Sequence, residues 1–124
     1  MINVLPIKEQ TEIISFCEKF DIPNKENRGV TVASNGNEIL GYCAYFLNSE
    51  SITITHLFPE NDIMLADGIL RSALHIADFK GIKNAFYSDT VSFDLLKRLD
   101  FINDETDMTL KIDKLHESCC SCSK

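Results

Sequence analysis

The chain has 124 residues, with 12 Lys or Arg against 19 Asp or Glu and a formal net charge of −7. That length suits one domain around a single core, no apolar run approaches a membrane span, and an acidic chain without a basic stripe lacks the phosphate-neutralising charge that nucleic-acid binding needs. The first residues show no basic segment followed by an apolar one, so no secretory signal is read and a cytoplasmic protein is expected.

Asn3 to Ile7 reads as a short edge strand. Thr11 to Phe20 reads as a helix, with Ile13, Cys17 and Phe20 at i, i+4 and i+7. Pro23 closes it, and the polar stretch to Gly29 reads as a loop. Val30 to Ala33 and Ile39 to Leu47 read as strands joined by a turn at Ser34-Asn35-Gly36-Asn37, where Asn-Gly accepts positive φ. A further turn at Asn48-Ser49-Glu50 leads into a fourth strand.

That strand carries a phase slip. Ile52 and Ile54 alternate with Thr53 and Thr55, but Leu57 then breaks the period and leaves His56 where an apolar residue belongs. A β-bulge at Thr55-His56 absorbs one such slip. Pairing with the strand from Ile82 to Ser88 should then hold at the start and fail at the end.

The longest element follows Pro59. Ala66, Leu70, Ala73, Leu74 and Ala77 form one apolar helical stripe. Asp67, Arg71, His75 and Asp78 line the other side, with Asp67 and Arg71 spaced for an i, i+4 ion pair. Gly81 is placed as the C′ glycine. Ile82 to Tyr87 is then a strand, parallel to its predecessor by crossover. Ser88 or Asp89 is a candidate cap for a short helix with Val91, Leu95, Leu96 and Leu99 inward. Met108, Leu110 and Ile112 mark a last strand. The expected fold is α/β (α+β in some schemes): a mixed, mostly antiparallel sheet with one parallel pair and helices on both faces.

In order and spacing, Glu38-Ile39-Leu40-Gly41-Tyr42, Leu57-Phe58-Pro59-Glu60-Asn61, Ile69-Leu70-Arg71, Ala77, Gly81-Ile82-Lys83 and Leu99-Asp100-Phe101 resemble the core of the GCN5-related N-acetyltransferase (GNAT) superfamily. The resemblance covers about the last three quarters of the chain. It implies an acetyl-CoA-dependent transfer to a small-molecule or protein amine. It also implies that a bulge splays the two parallel strands and that the pantetheine arm enters the gap. The implied cofactor contacts are Leu57, Phe58, Ile63, Met64, Leu65, Ala66, Asp67 and Asp89.

The chain departs from the family at its chemistry. The phosphate-loop pattern Q/R-x-x-G-x-G/A falls on Asn61 to Ala66, where only Ala66 fits. Met64 takes a glycine's place, no basic residue is present, and Glu60 and Asp62 put negative charge where an anion should sit. The position of the family's acidic tyrosine falls on Leu96, which has no proton to donate. Tyr87 is the nearby phenol. His56 is the first candidate base, its ordinary pKa near 6.5 suiting proton removal, and Glu60 is the second. An interior histidine that only satisfies a backbone group is the alternative for His56. A degenerate binding domain of the same fold is the alternative for the whole chain.

Two of five cysteines, Cys17 and Cys43, lie in apolar segments and read as core. Residues 1–115 are read as one domain and residues 116–124 as a tail. His116, Cys119, Cys120 and Cys122 in that tail offer soft ligands suited to zinc or copper(I). The alternative for the same residues is a reduced, unstructured end. The pattern carries no information on oligomeric state.

Overall fold

The computed structural model describes residues 2–23, 27–82, 84–99, 102–104 and 109–110. The strands are β1 (Ile2–Pro6), β2 (Arg28–Asn35), β3 (Glu38–Leu47), β4 (Ser51–Phe58), β5 (Asn84–Tyr87), β6 (Ile102–Asp104) and β7 (Thr109–Leu110). The helices are α1 (Gln10–Lys19), α2 (Ile63–Phe79) and α3 (Phe93–Arg98). One sheet runs in the order β1-β2-β3-β4-β5-β7-β6. Every neighbouring pair is antiparallel except β4 and β5, which are parallel. This is the mixed, mostly antiparallel sheet expected from the sequence.

The pleat of β3 sorts the core into two layers. Cys43 and Tyr45 join Ala33, Ile52 and Ile54 in a cluster with the α2 residues Ala66, Ile69, Leu70, Ala73, Leu74 and Ala77. Ala44 points the other way and joins Val30 against Ile13, Phe16 and Cys17 of α1. Successive strand residues face opposite sides, so α1 and α2 cover opposite faces. Among the described residues no helix is long and apolar enough to cross a membrane.

The ends of α2 are set by local chemistry. Asp62 caps it, its carboxylate accepting from the Leu65 amide at 3.1 Å. At the other end Gly81 adopts φ +80°. Its amide donates to Asp78 O at 3.0 Å, and the Ile82 amide donates to Ala77 O at 2.9 Å. These are the paired bonds of a Schellman motif. Ile82, expected in the strand, is therefore spent on the helix end, and β5 begins only at Asn84. Asp67 and Arg71 form the expected ion pair at 2.9 Å.

Two expectations need correcting. The cap of α3 is Ser92, whose hydroxyl accepts from the Leu95 amide at 3.2 Å, not Ser88 or Asp89. Ser88 to Thr90 forms a separate turn, with the Val91 amide bonded to Ser88 O at 3.1 Å. β6 was not read from the sequence, because Ile102–Asp104 is too short to show alternation. Thr109 and Leu110 do form a strand; the neighbouring Met108 and Ile112 lie outside the described residues.

Candidate active site

The phase slip in β4 is a bulge. Tyr45 pairs with Ile54 and Ala44 with His56, so Thr55 is the extra residue opposite β3. Pairing with β5 runs from Ser51 with Asn84 to Ile54 with Tyr87 and goes no further. The Ser88 amide adds one bond to Ile54 O at 2.9 Å. The Thr90 hydroxyl then donates to Thr55 O, closing the root of the opening with a side chain. Beyond that point β4 runs on to Phe58 without a β5 partner among the described residues.

His56 sits at the point where pairing stops. Leu57 faces the α2 layer, so His56 and Phe58, its neighbours in the pleat, lie on the α1 face. The His56 ring Nδ1 is 3.0 Å from the Thr55 hydroxyl. Burial, with the charge of Arg28 second, holds the imidazole below its ordinary pKa. It is therefore neutral at neutral pH, as a base must be.

Arg28 was not singled out by the sequence, where it reads as the end of a polar loop. It is 5% exposed. Its Nη1 donates to Thr55 Oγ1 at 2.6 Å, and its Nε and Nη2 donate to Pro23 O at 3.0 and 2.8 Å. The guanidinium lies 4.0 Å from the centroid of the Phe46 ring, its cross-strand partner. Among the described residues all its hydrogen-bond acceptors are neutral oxygens. Burial lowers its pKa, in accord with a charge kept from water.

An aromatic run extends from this site. Phe16 lies 4.5 Å from Phe20 and 5.2 Å from Tyr42, and Tyr42 stacks on Phe58 at 5.7 Å. Phe58, about half exposed, then lines an open depression of about 740 Å³ with Ile2, Leu40, Pro59, Asn61, Asp62, Met64 and Leu65. Ile2 and Leu40 bring the β1 and β3 side of the sheet to the start of α2, a contact no local pattern announces.

The expected site residues are thus dispersed over several settings. Phe58, Met64 and Leu65 share the depression, and Met64 is 87% exposed. Ile63 and Leu65 also lean on the α2 core, Leu57 and Ala66 are within it, and the Asp67 carboxylate is held by Arg71. The Ala66 amide is spent on Asp62 O at 2.9 Å, the first bond of the helix. The Ile63 and Met64 amides lie in the first turn, beyond the reach of intrahelical carbonyls. Glu60 is exposed in the loop before α2, and Asp89 is exposed in the turn after β5. Tyr87 is buried in the α2 layer opposite Ile54; the pleat puts it on the other face from His56. Leu96 is fully buried core, and His75 is exposed. His116, Cys119, Cys120 and Cys122 lie outside the described residues. Among the described ones no cluster of three His, Cys, Asp or Glu side chains is placed to hold a metal.

The architecture recurs in solved structures. A ribosomal-protein-alanine N-acetyltransferase from Brucella melitensis biovar Abortus 2308 is similar with a TM-score of 0.59 at 8% identity, over 86% of this chain and 94% of that one. YhhK from E. coli, described as an N-acetyl transferase and solved with coenzyme A, gives 0.59 at 10% identity over 85% and 94%. An aminoglycoside acetyltransferase from an uncultured soil metagenomic sample gives 0.54 at 15% identity over 99% and 88%. No protein-family profile and no curated protein sequence matches the chain. The likeness is one of fold: the chain has the GNAT superfamily fold.

Proposed function

We propose that residues 1–115 form a single acyltransferase domain that moves an acetyl group from acetyl-CoA to a small-molecule or protein amine, and does so slowly. The observation that carries this reading is the bulge at Thr55, which ends the β4–β5 pairing at Ile54 and leaves His56 beside the unpaired end of β4. The E. coli protein of the same fold that was solved with coenzyme A supports it.

The residues fit acetyl-CoA in part. Leu57 and Phe58, on a strand without a β5 partner, suit an extended amide-bearing arm. The start of α2 suits a pyrophosphate poorly, because the Asp62 carboxylate already occupies the Leu65 amide and Glu60 adds like charge. When bound, acetyl-CoA supplies an activated acetyl thioester. His56 Nε2 accepts the proton of the acceptor ammonium, leaving the amine its lone pair. Glu60, exposed on the neighbouring loop, is the second candidate for that role. Tyr87 faces the other side of the sheet and Leu96 has no proton, so neither would supply an acid to a thiolate leaving acetyl-CoA, and its proton would come from water. That is the reason turnover is slow.

A second reading is a non-catalytic domain of this fold, and the Asp62 cap favours it. One assay separates the two: thiol release from acetyl-CoA in the presence of polyamines, aminoglycosides and peptide N-termini. The first reading expects an acetylated amine, turnover below about 10 per second, and loss of product in His56→Gln. Saturable CoA binding with no product from any amine supports the second. Product formation unchanged in His56→Gln removes His56 from the first.

A further inference from the structure

The three hydrogen bonds around Thr55 Oγ1 can all form together in only one proton arrangement. A threonine hydroxyl has a single proton and two lone pairs. Thr55 Oγ1 has three polar partners: Ala44 O at 3.1 Å, Arg28 Nη1 at 2.6 Å and His56 Nδ1 at 3.0 Å. Ala44 O can only accept, so it takes the hydroxyl proton. The guanidinium can only donate, so it uses one lone pair. One lone pair is left, and His56 Nδ1 satisfies it only by carrying a proton. The neutral imidazole is therefore the Nδ1–H tautomer, and Nε2 holds the free lone pair.

We infer that Thr55 and Arg28 are positioning residues that fix His56 in the Nδ1–H tautomer and present Nε2 as the proton acceptor. This rests on His56 being the base of the proposed transfer. Thr55 reaches His56 because the bulge makes it the extra residue, so two successive side chains meet instead of pointing apart. Arg28 anchors the hydroxyl from behind. Its hold on Pro23 O and its stacking on Phe46 fix the guanidinium, and through it the Thr55 rotamer. The arrangement serves both charge states, since the imidazolium also carries a proton on Nδ1 and titrates at Nε2. Burial and the Arg28 charge together disfavour that imidazolium, so Nε2 is kept free between turnovers. Among the described residues, the titratable groups on this face include the Tyr42 phenol of β3, and Cys17 of α1 near Arg28. Neither is bonded to the ring.

The test is nitrogen NMR of the intact protein with labelled histidine, His56 being assigned by loss of its signals in His56→Gln. The wild type is expected to show Nδ1–H at neutral pH. Thr55→Ser, which keeps the hydroxyl, should keep that tautomer, whereas Thr55→Val should move population toward Nε2–H. In the acetylation assay Thr55→Val should lower kcat about tenfold with KM nearly unchanged, as expected for a misdirected base, and Thr55→Ser should recover most of it. An Nε2–H tautomer in the wild type overturns the inference even if Thr55→Val does not fold. A folded Thr55→Val with the wild-type tautomer, or with wild-type kcat, also overturns it. The tautomer is read without substrate, so a protein with Nδ1–H but no acetyl transfer to any amine would remove the proposed function and leave the hydrogen-bond assignment standing.

Discussion

Gly41 and Gly68 should respond to alanine in opposite directions. Gly41 lies on β3 where the exit of β4 and α2 converge. A Cβ built there would sit 2.5 Å from Phe58 O, 2.8 Å from Pro59 Cδ and 2.8 Å from Ile69 Cδ1. The first contact is with backbone and cannot be relieved by a rotamer change. To reach even about 3.0 Å, β3 and the end of β4 must part by about 0.5 Å, an overpacking strain of about 1–3 kcal/mol. For a chain of this size that lowers Tm by about 4–12 °C. Gly68 is on the exposed side of α2, and its added Cβ meets nothing within 4 Å. There alanine removes backbone freedom from the unfolded chain and stabilises by about 0.5–1 kcal/mol. Thermal and urea unfolding of Gly41→Ala and Gly68→Ala, read with equal m-values, measure both. The displaced residues, Phe58 and Pro59, also line the depression at the head of α2, so Gly41→Ala should weaken any ligand held there. Equal stability of the two variants, or Gly41→Ala as stable as wild type, would refute the close approach of β3, β4 and α2.

Three further outcomes are expected. Because His56 is held below its ordinary value of about 6.5 in the folded state, protonation favours the unfolded chain; its contribution is intact above about pH 6.5 and is lost as pH falls toward the lower folded value. Urea unfolding at about pH 7.5 and pH 5 should therefore show less acid destabilisation in His56→Gln than in wild type, and an equal loss would contradict the shift. Arg28→Ala strips Thr55 Oγ1 and Pro23 O of buried donors and should cost about 2–4 kcal/mol by the same method; a cost under about 0.5 kcal/mol would show that the guanidinium does not brace the bulge. Zinc or copper(I) titration of the full chain, compared with a chain lacking residues 117–124, tests the tail: pH-dependent binding confined to the full chain supports a soft-metal site at His116, Cys119, Cys120 and Cys122, and equal weak binding by both removes it.

Much of this architecture is legible because its signals are local. The α2 stripe and its Gly81 terminus follow from apolar spacing and one residue's freedom at positive φ. The bulge follows from a broken period of two between Thr55 and Leu57. The cap of α3 is ambiguous in sequence because Ser88, Asp89 and Ser92 all have capping side chains; the turn at Ser88 to Thr90 takes the first two. Arg28 is illegible for a different reason. A cation opening a strand is usually solvated, and what buries this one is Thr55, 27 positions along the chain, and Phe46 across the sheet. The depression at the head of α2 is likewise assembled from β1, β3 and the β4–α2 loop, so no window of sequence contains it.

Calorimetric titration of the protein with acetyl-CoA tests the central claim most directly. The parallel pair that parts after Ile54 should give saturable one-site heat, with a Kd in the micromolar to millimolar range because the start of α2 offers an anion no basic partner and a competing carboxylate. Desulfo-CoA should bind comparably, and Asp62→Asn should tighten both by removing the like charge. Absence of saturable heat at millimolar acetyl-CoA, in the wild type and in Asp62→Asn alike, would contradict the account.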